Sequence, residues 1–314
     1  MKILVTGGSG FIGRKLVDTL LQYNAHSLRI SSRKKNSSVS ESPSVEWVEG
    51  DLSPYFDWGS AVEGCQVVIH LAARAHVMNN DLPSSEEFRK VNFDGSLSLA
   101  RSAVKAGVKR FIFLSSIGVN GNNNLYPYTE TDVPSPQGFY ALSKWEAEVG
   151  LREIAKQTGL ELVIIRPTLV YGEGAPGNIA RLVKLIKCPI PLPLGAVNNR
   201  RSFIGVDNLI SLIVVCLDHP AAANELFLAA DSEDVSTTKL LRLLSSGLDK
   251  SVCLLPIPVS FLKIGFYLTG KRDVAISLLG SLRVDISKAR KTLNWYPSLS
   301  LEDGLKKVIE HSYD

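Results

Sequence analysis

The chain has 314 residues, 45% of them hydrophobic and 21% charged, with a formal net charge of +4. That length and apolar content support one large core, alone or beside a smaller lobe. The charge is too small and too scattered for a nucleic-acid-binding face. Its clusters, Arg33-Lys34-Lys35, Arg200-Arg201 and Lys271-Arg272, are short and read as solvated loops.

The first element is the apolar run Ile3-Leu4-Val5. It leads into a turn with Gly7, Gly10 and Gly13 at G-x-x-G-x-x-G spacing, and Leu16, Val17, Leu20 and Leu21 then share one helical face. Strand, tight turn and helix in that order offer backbone N–H groups and a helix N-terminus to a pyrophosphate. Glycine turns also serve plain packing, and the flanking strand and helix favour the anion.

Further strands are expected at residues 28–31, 45–49, 67–71, 110–115 and 162–166. Helices are expected at 13–23, 58–62, 86–106 and 140–158. Strands alternating with helices give a doubly wound parallel sheet of the Rossmann type. Ligands of such sheets sit beyond the carboxyl ends of the strands. After Arg166, glycine and proline dominate at 172–177 and 189–193, with a helix at 178–186 between them. A helix at 206–217, a strand at 225–228 and helices at 237–246, 260–267, 287–293 and 301–311 follow. Residues 1–166 with about 206–218 are expected to form the dinucleotide-binding domain. Residues 167–205 and 219–314 are expected to form a smaller α/β substrate lobe.

The apolar stretches 209–217 and 254–266 are too short or too interrupted to span a bilayer and read as core. Cys65, Cys188, Cys216 and Cys253 lie far apart without metal-type spacing, so reduced thiols are expected. No signal-peptide pattern opens the chain, and the cytoplasm is the expected compartment, with neither a membrane nor nucleic acid as partner.

Tyr140 and Lys144 stand in YALSK, four apart at the start of a helix, and so share a face. A neighbouring ammonium favours the phenolate and lowers the phenol's pKa from about 10. Tyr140 then exchanges a proton with a substrate oxygen near neutral pH. Such a pair also arises by chance on a solvated surface. Ser115 and Ser116 follow an apolar strand, where a hydroxyl holds the same oxygen or merely caps a turn. Asp51 sits at another strand end with the same two readings. His70 has no second metal-type ligand near it and reads as a core histidine or one behind the site.

Taken together, these segments resemble the extended short-chain dehydrogenase/reductase family, in its nucleotide-sugar epimerase, dehydratase and reductase branch. The resemblance rests on TGGSGFIG at 6–13, GDL at 50–52, HLAARAHV at 70–77, VNFDG at 91–95, FLSSIGVNG at 113–121, YALSK at 140–144, RPTLVYGEG at 166–174 and RRSFIGVDNL at 200–209. It implies Ser116, Tyr140 and Lys144 as catalytic residues, with Lys144 also holding the nicotinamide ribose. It places Gly7, Gly10, Phe11, Ile12 and Gly13 at the pyrophosphate and Asp51 with Leu52 at the adenine. Leu71, Ala72, Ala73, Asn92, Ser115 and Pro167 border the cofactor. Asn178 and Arg201 match positions that hold the nucleoside diphosphate, and Arg272 is a looser candidate. A UDP-sugar substrate is implied, and so is a homodimer through helices 86–106 and 140–158.

Two departures from the pattern carry information. Members that prefer NAD place an acid at the end of the second strand. Here the segment reads Ser31-Ser32-Arg33-Lys34, which suits a 2′-phosphate, so NADP(H) is expected over NAD(H), with Ser32 and Arg33 as contacts. Asn120-Gly121 and the sequence RPTL at 166–169 differ from what UDP-galactose 4-epimerases show. The expected activity is therefore reduction of a 4-keto UDP-sugar of the kind used for bacterial surface polysaccharides. A UDP-hexose 4-epimerase is the close alternative. A non-catalytic cofactor sensor is the alternative of another class, and the presence of both Tyr140 and Lys144 speaks against it.

Overall fold

The computed structural model describes residues 1–23, 26–33, 45–75, 84–175, 178–188 and 190–310, apart from the side chains of residues 178 and 180. Of the segments named above, Lys34-Lys35 and residues 76–77, 176–177, 189 and 311 lie outside the described residues.

The first half alternates as expected: β1 (Lys2–Thr6), α1 (Phe11–Gln22), β2 (Ser27–Ser32), β3 (Val45–Glu49), α2 (Gly59–Val62), β4 (Val67–His70), α3 (Ser85–Arg89), α4 (Gly95–Lys105), β5 (Arg110–Leu114), α5 (Phe139–Thr158) and β6 (Glu161–Pro167). Residues Lys90–Asp94 join α3 to α4 as one π-helical turn, so the expected helix 86–106 is continuous but bulged. The second half holds β7 (Leu169–Tyr171), α6 (Asn178–Lys187), β8 (Phe203–Gly205), α7 (Val206–Val215), β9 (Leu226–Ala229), α8 (Thr237–Gly247), α9 (Val259–Leu268), α10 (Arg272–Leu279), α11 (Ser287–Leu293) and α12 (Leu301–Glu310).

Seven parallel strands form the main sheet in the order β3-β2-β1-β4-β5-β6-β9. Side chains alternate across it because strand side chains point to opposite faces with period two. Ile3, Val5, Ile69 and Ile112 enter one core with α1, α7 and α11. Leu4, Val68, Phe111 and Phe113 enter the other with α2, α4 and α5. The strand order reverses between β1 and β4, and a crevice forms there.

Two findings depart from the expected division. β9 pairs with β6 in the main sheet, and Ala289, Leu293 and Trp295 join its first core. Within residues 219–314 the chain thus returns to the large sheet before leaving it again. β7 and β8, three residues each, form a small parallel sheet where only loops were expected. Their burial and pairing, not their sequence pattern, define them. A third core of Tyr171, Leu182, Leu240, Leu244, Leu301 and Leu305 holds the smaller lobe together.

The stretch 209–217 is core as expected. The stretch 254–266 is not: Leu254, Val259, Leu262 and Phe266 pack only partly on the third core, and no residue of α9 is buried. Among the described residues, no helix is long and apolar enough to cross a membrane.

Candidate active site

The turn after β1 is built by close approach. Gly7 has φ +74°, and a Cβ there would lie 2.8 Å from the Ala72 nitrogen. A Cβ on Gly13 would lie 2.1 Å from the Gly7 carbonyl oxygen. Only glycine permits the turn to lie flat on residues 71–73 and fold under itself. Helix α1 starts directly behind it, with no side-chain cap and no acid in its first turn. That end keeps its partial positive charge for an anion.

A cavity of about 640 Å3 opens over the carboxyl ends of β1, β2 and β4. Gly7, Gly10, Ser32, Arg33, Asp51, Leu52, Leu71, Ala72 and Ala73 line it, together with Trp58, Glu87, Lys90 and Val91. Nine of the expected cofactor residues thus converge on one space. No carboxylate stands at the end of β2, where Arg33 is exposed. The flat glycine cradle and the open anion-favouring helix end fit a dinucleotide. Phe11 and Ile12 instead pack partly against the first core, and Gly13 lies under the turn.

Asn92 was expected to border a cofactor. Its side chain is committed elsewhere. Oδ1 accepts from the Arg74 N–H at 2.8 Å, and Nδ2 donates to the Arg74 carbonyl and to Ser143 Oγ, both at 3.0 Å. One buried amide therefore ties the wall after β4 to α5. The π-turn carries it inward; such bulges re-aim side chains.

Behind it lies His70, fully buried. Ser96 donates its one proton to the Asn92 carbonyl at 2.6 Å, so its oxygen accepts from His70 Nε2–H at 2.8 Å. Nδ1 is left to accept from the Thr6 hydroxyl at 2.6 Å. The ring is neutral: burial first, and then Lys144, push its pKa down to about 3. This is the core histidine the sequence suggested, fixed in one tautomer.

Helix α5 presents Tyr140 and Lys144. Lys144 is 1% exposed; Nζ donates to the Leu114 carbonyl at 2.8 Å and sits 4.5 Å over the Phe113 ring. Burial pushes its pKa down to about 7, against the pull of Glu148. Tyr140 stacks edge-on against Phe88 at 6.4 Å, and burial pushes its phenol up to about 12. The expected lowering of the phenol by the ammonium is not found. Burial is the cause acting on Tyr140, and the Lys144 ammonium is engaged by a strand carbonyl. Ser116 caps a short 3-10 turn, its Oγ accepting from the Gly118 N–H at 3.1 Å. Ser115 donates its hydroxyl proton to Glu148 Oε1 at 2.5 Å, so that proton is committed.

Glu148, Arg166 and Asn120 were not singled out from sequence. Arg166 donates to both Glu148 oxygens and, through Nη1, to Asn120 Oδ1 at 2.8 Å. The readable signal was spacing: Tyr140, Lys144 and Glu148 recur every four residues on α5.

The substrate-side candidates do not converge on the cavity. Arg201 Nη1 donates to the Ile276 and Gly280 carbonyls at 3.3 and 3.1 Å, at the end of α10. Arg272 opens α10 and stacks over Tyr267 at 4.3 Å. Asn178 opens α6, and its side chain is outside the described residues. Pro167 is buried at the end of β6 and pairs with Ala229.

Sheet order, glycine cradle and crevice together define a protein of the Rossmann type. The family model described as "NAD dependent epimerase/dehydratase family" matches residues 3–229. A UDP-glucose 4-epimerase of Vibrio cholerae is 41% identical over 312 residues, covering 98% of this chain and 94% of that protein. A dTDP-4-dehydro-6-deoxyglucose reductase of Escherichia coli is 25% identical, over 98% of this chain and 96% of that one. The crystal structure of a Thermotoga maritima UDP-glucose 4-epimerase with UDP-glucose superposes with a TM-score of 0.78 at 27% identity, covering 100% of this chain and 99% of that one. The chain belongs to the NAD-dependent epimerase/dehydratase family, and it is an enzyme.

Proposed function

We propose that the protein reduces the C4 ketone of a UDP-linked keto sugar with NADPH. One observation carries this reading: the wall at the end of β2 offers Ser32 and Arg33, and no carboxylate, to the adenosine side of the cavity. A guanidinium and a hydroxyl suit a 2′-phosphate, which an acid would repel. The raised Tyr140 phenol agrees with it. Burial favours the protonated phenol, so Tyr140 has a proton to give. The E. coli reductase among the relatives supports the same class of reaction.

A bound nicotinamide supplies the hydride that reaches C4. In this reading the turn at Gly7, Gly10 and Gly13 holds the diphosphate, Asp51 and Leu52 flank the adenine, and Leu71 to Ala73 wall the crevice. Tyr140 transfers its hydroxyl proton to the C4 oxygen, turning ketone into alcohol. Lys144 holds the ribose and steadies the phenolate that remains, with Glu148 favouring its charged form against burial. Ser116 orients the ketone through its hydroxyl. Asn178, Arg201 and Arg272 are assigned to the nucleoside diphosphate. A cytoplasmic homodimer through α3–α4 and α5 completes the proposal, supported by the exposed Leu142 and Val149 on α5 and by four free thiols.

A second reading, UDP-hexose 4-epimerase, is favoured by the V. cholerae relative. The two separate cleanly. Purified protein is given a UDP-4-keto-6-deoxy-N-acetylhexosamine with NADPH or NADH, and nicotinamide absorbance and product are followed. Parallel samples receive UDP-glucose or UDP-N-acetylglucosamine without added cofactor. Stoichiometric NADPH consumption establishes the reductase. Turnover of the hexoses on co-purified NAD, with no NADPH consumption, replaces it by the epimerase.

A further inference from the structure

Helix α9 contradicts the usual burial of apolar sequence. Phe261, Ile264 and Leu268 form a stripe at i, i+3, i+7 and are 66%, 57% and 78% exposed; Tyr267 beside them is 62% exposed. Isolated exposed apolar residues are normal on proteins, whereas a contiguous patch marks a contact surface.

Charge around the patch is mainly positive, with Asp249 and Asp273 the acids that bound it in sequence. Residues 250–272 contain Lys250, Lys263, Lys271 and Arg272 and no acid. Lys263 flanks the stripe, and Lys271 with Arg272 follows it at the tip of the α9–α10 hairpin. A second copy meeting this face about a two-fold axis would oppose like charges.

The tip is also prepared for a medium of low polarity. Thr269 N–H and its hydroxyl donate to the Gly265 carbonyl, Gly270 N–H to Tyr267, and Lys271 N–H to Phe266 at 2.9 Å. The Gly265, Phe266 and Tyr267 carbonyls are thus satisfied within the hairpin. Arg272 lies over the Tyr267 ring, joining a cation to an amphipathic aromatic.

We propose that the α9–α10 hairpin docks on an anionic lipid bilayer. Phe261, Ile264 and Leu268 enter the headgroup boundary, Tyr267 sits at its level, and Lys263 and Lys271 meet lipid phosphates. The hairpin is not remote from the candidate site: the carbonyls of Ile276 and Gly280 near its end hold Arg201. Docking would therefore bring the substrate lobe to the membrane surface. This inference does not depend on which sugar the enzyme reduces.

The test is flotation of the full chain with vesicles of phosphatidylcholine alone or mixed in equal parts with phosphatidylglycerol, at low and high salt. Wild type is expected to float only with the anionic vesicles and to be released by salt. Phe261→Ser with Leu268→Ser, and separately Lys263→Gln with Lys271→Gln, should each weaken binding on the order of tenfold. Because these side chains are exposed, the thermal midpoint should not move, and that measurement shows each variant is folded. Absence of binding to anionic vesicles by wild type overturns the proposal. So does binding that neither pair of substitutions changes. Conversion of a dimer to a monomer by the Phe261/Leu268 pair, without vesicle binding, assigns the face to a second copy instead.

Discussion

Arg166 grips Glu148 with two donors, Nε to Oε1 at 2.8 Å and Nη2 to Oε2 at 2.5 Å, and both side chains are almost fully buried. The pair joins the end of β6 to α5 directly beneath Lys144. Removing one partner of such a pair leaves an uncompensated charge, which costs about 3–5 kcal/mol. Glu148→Gln should therefore lower unfolding stability by about that amount in denaturant titration. Glu148 also pulls the pKa of Lys144 upward. Activity that needs the ammonium falls as pH rises through that pKa, so the alkaline limb of kcat/KM should move to lower pH in Glu148→Gln.

Lys144 illustrates a conflict between stability and chemistry. Its pKa is about 7 folded and 10.5 unfolded, so the unfolded chain binds the extra proton between those values. Its contribution to stability is fully present above pH 10.5 and is lost as pH falls to 7. Lys144→Met removes this dependence. Thermal midpoints measured from pH 7 to 10 should rise less steeply for the variant, which should be the more stable protein at pH 7. Its catalytic activity should fall by 10²-fold or more. A variant less stable than wild type at pH 7 would contradict the burial cost assigned to the amine.

His70 gives the opposite end of the pH scale. Its pKa is about 3 folded against 6.5 unfolded. Neutral burial contributes stability above pH 6.5, and that contribution is lost as pH falls toward 3. The expected slope is about 1.4 kcal/mol per pH unit. His70→Asn should flatten the stability profile between pH 6.5 and 4.5, measured by urea titration.

Arg33 tests the cofactor reading. Arg33→Ala should weaken NADPH binding by roughly ten- to a hundredfold, the worth of charge-assisted hydrogen bonds, and leave NADH binding unchanged. Isothermal titration of both dinucleotides checks this. Equal loss for both would mean that Arg33 acts on the wall and not on the 2′-phosphate.

Sequence alone determined the Rossmann half. Short continuous apolar runs, the glycine spacing and the YALSK pair are local signals, and local signals are set by neighbours in the chain. It read Ser115 as a site hydroxyl and Asn92 as a cofactor contact, because spacing names a strand end but not which way a side chain turns. Tertiary packing decided those. Glu148 claims Ser115, and Arg74 and Ser143 claim Asn92. Packing alone also placed β9 in the large sheet, paired β7 with β8, and left α9 unburied. An apolar pattern states that a face seeks cover, but only the distant segments that arrive, or fail to arrive, determine whether the fold supplies it.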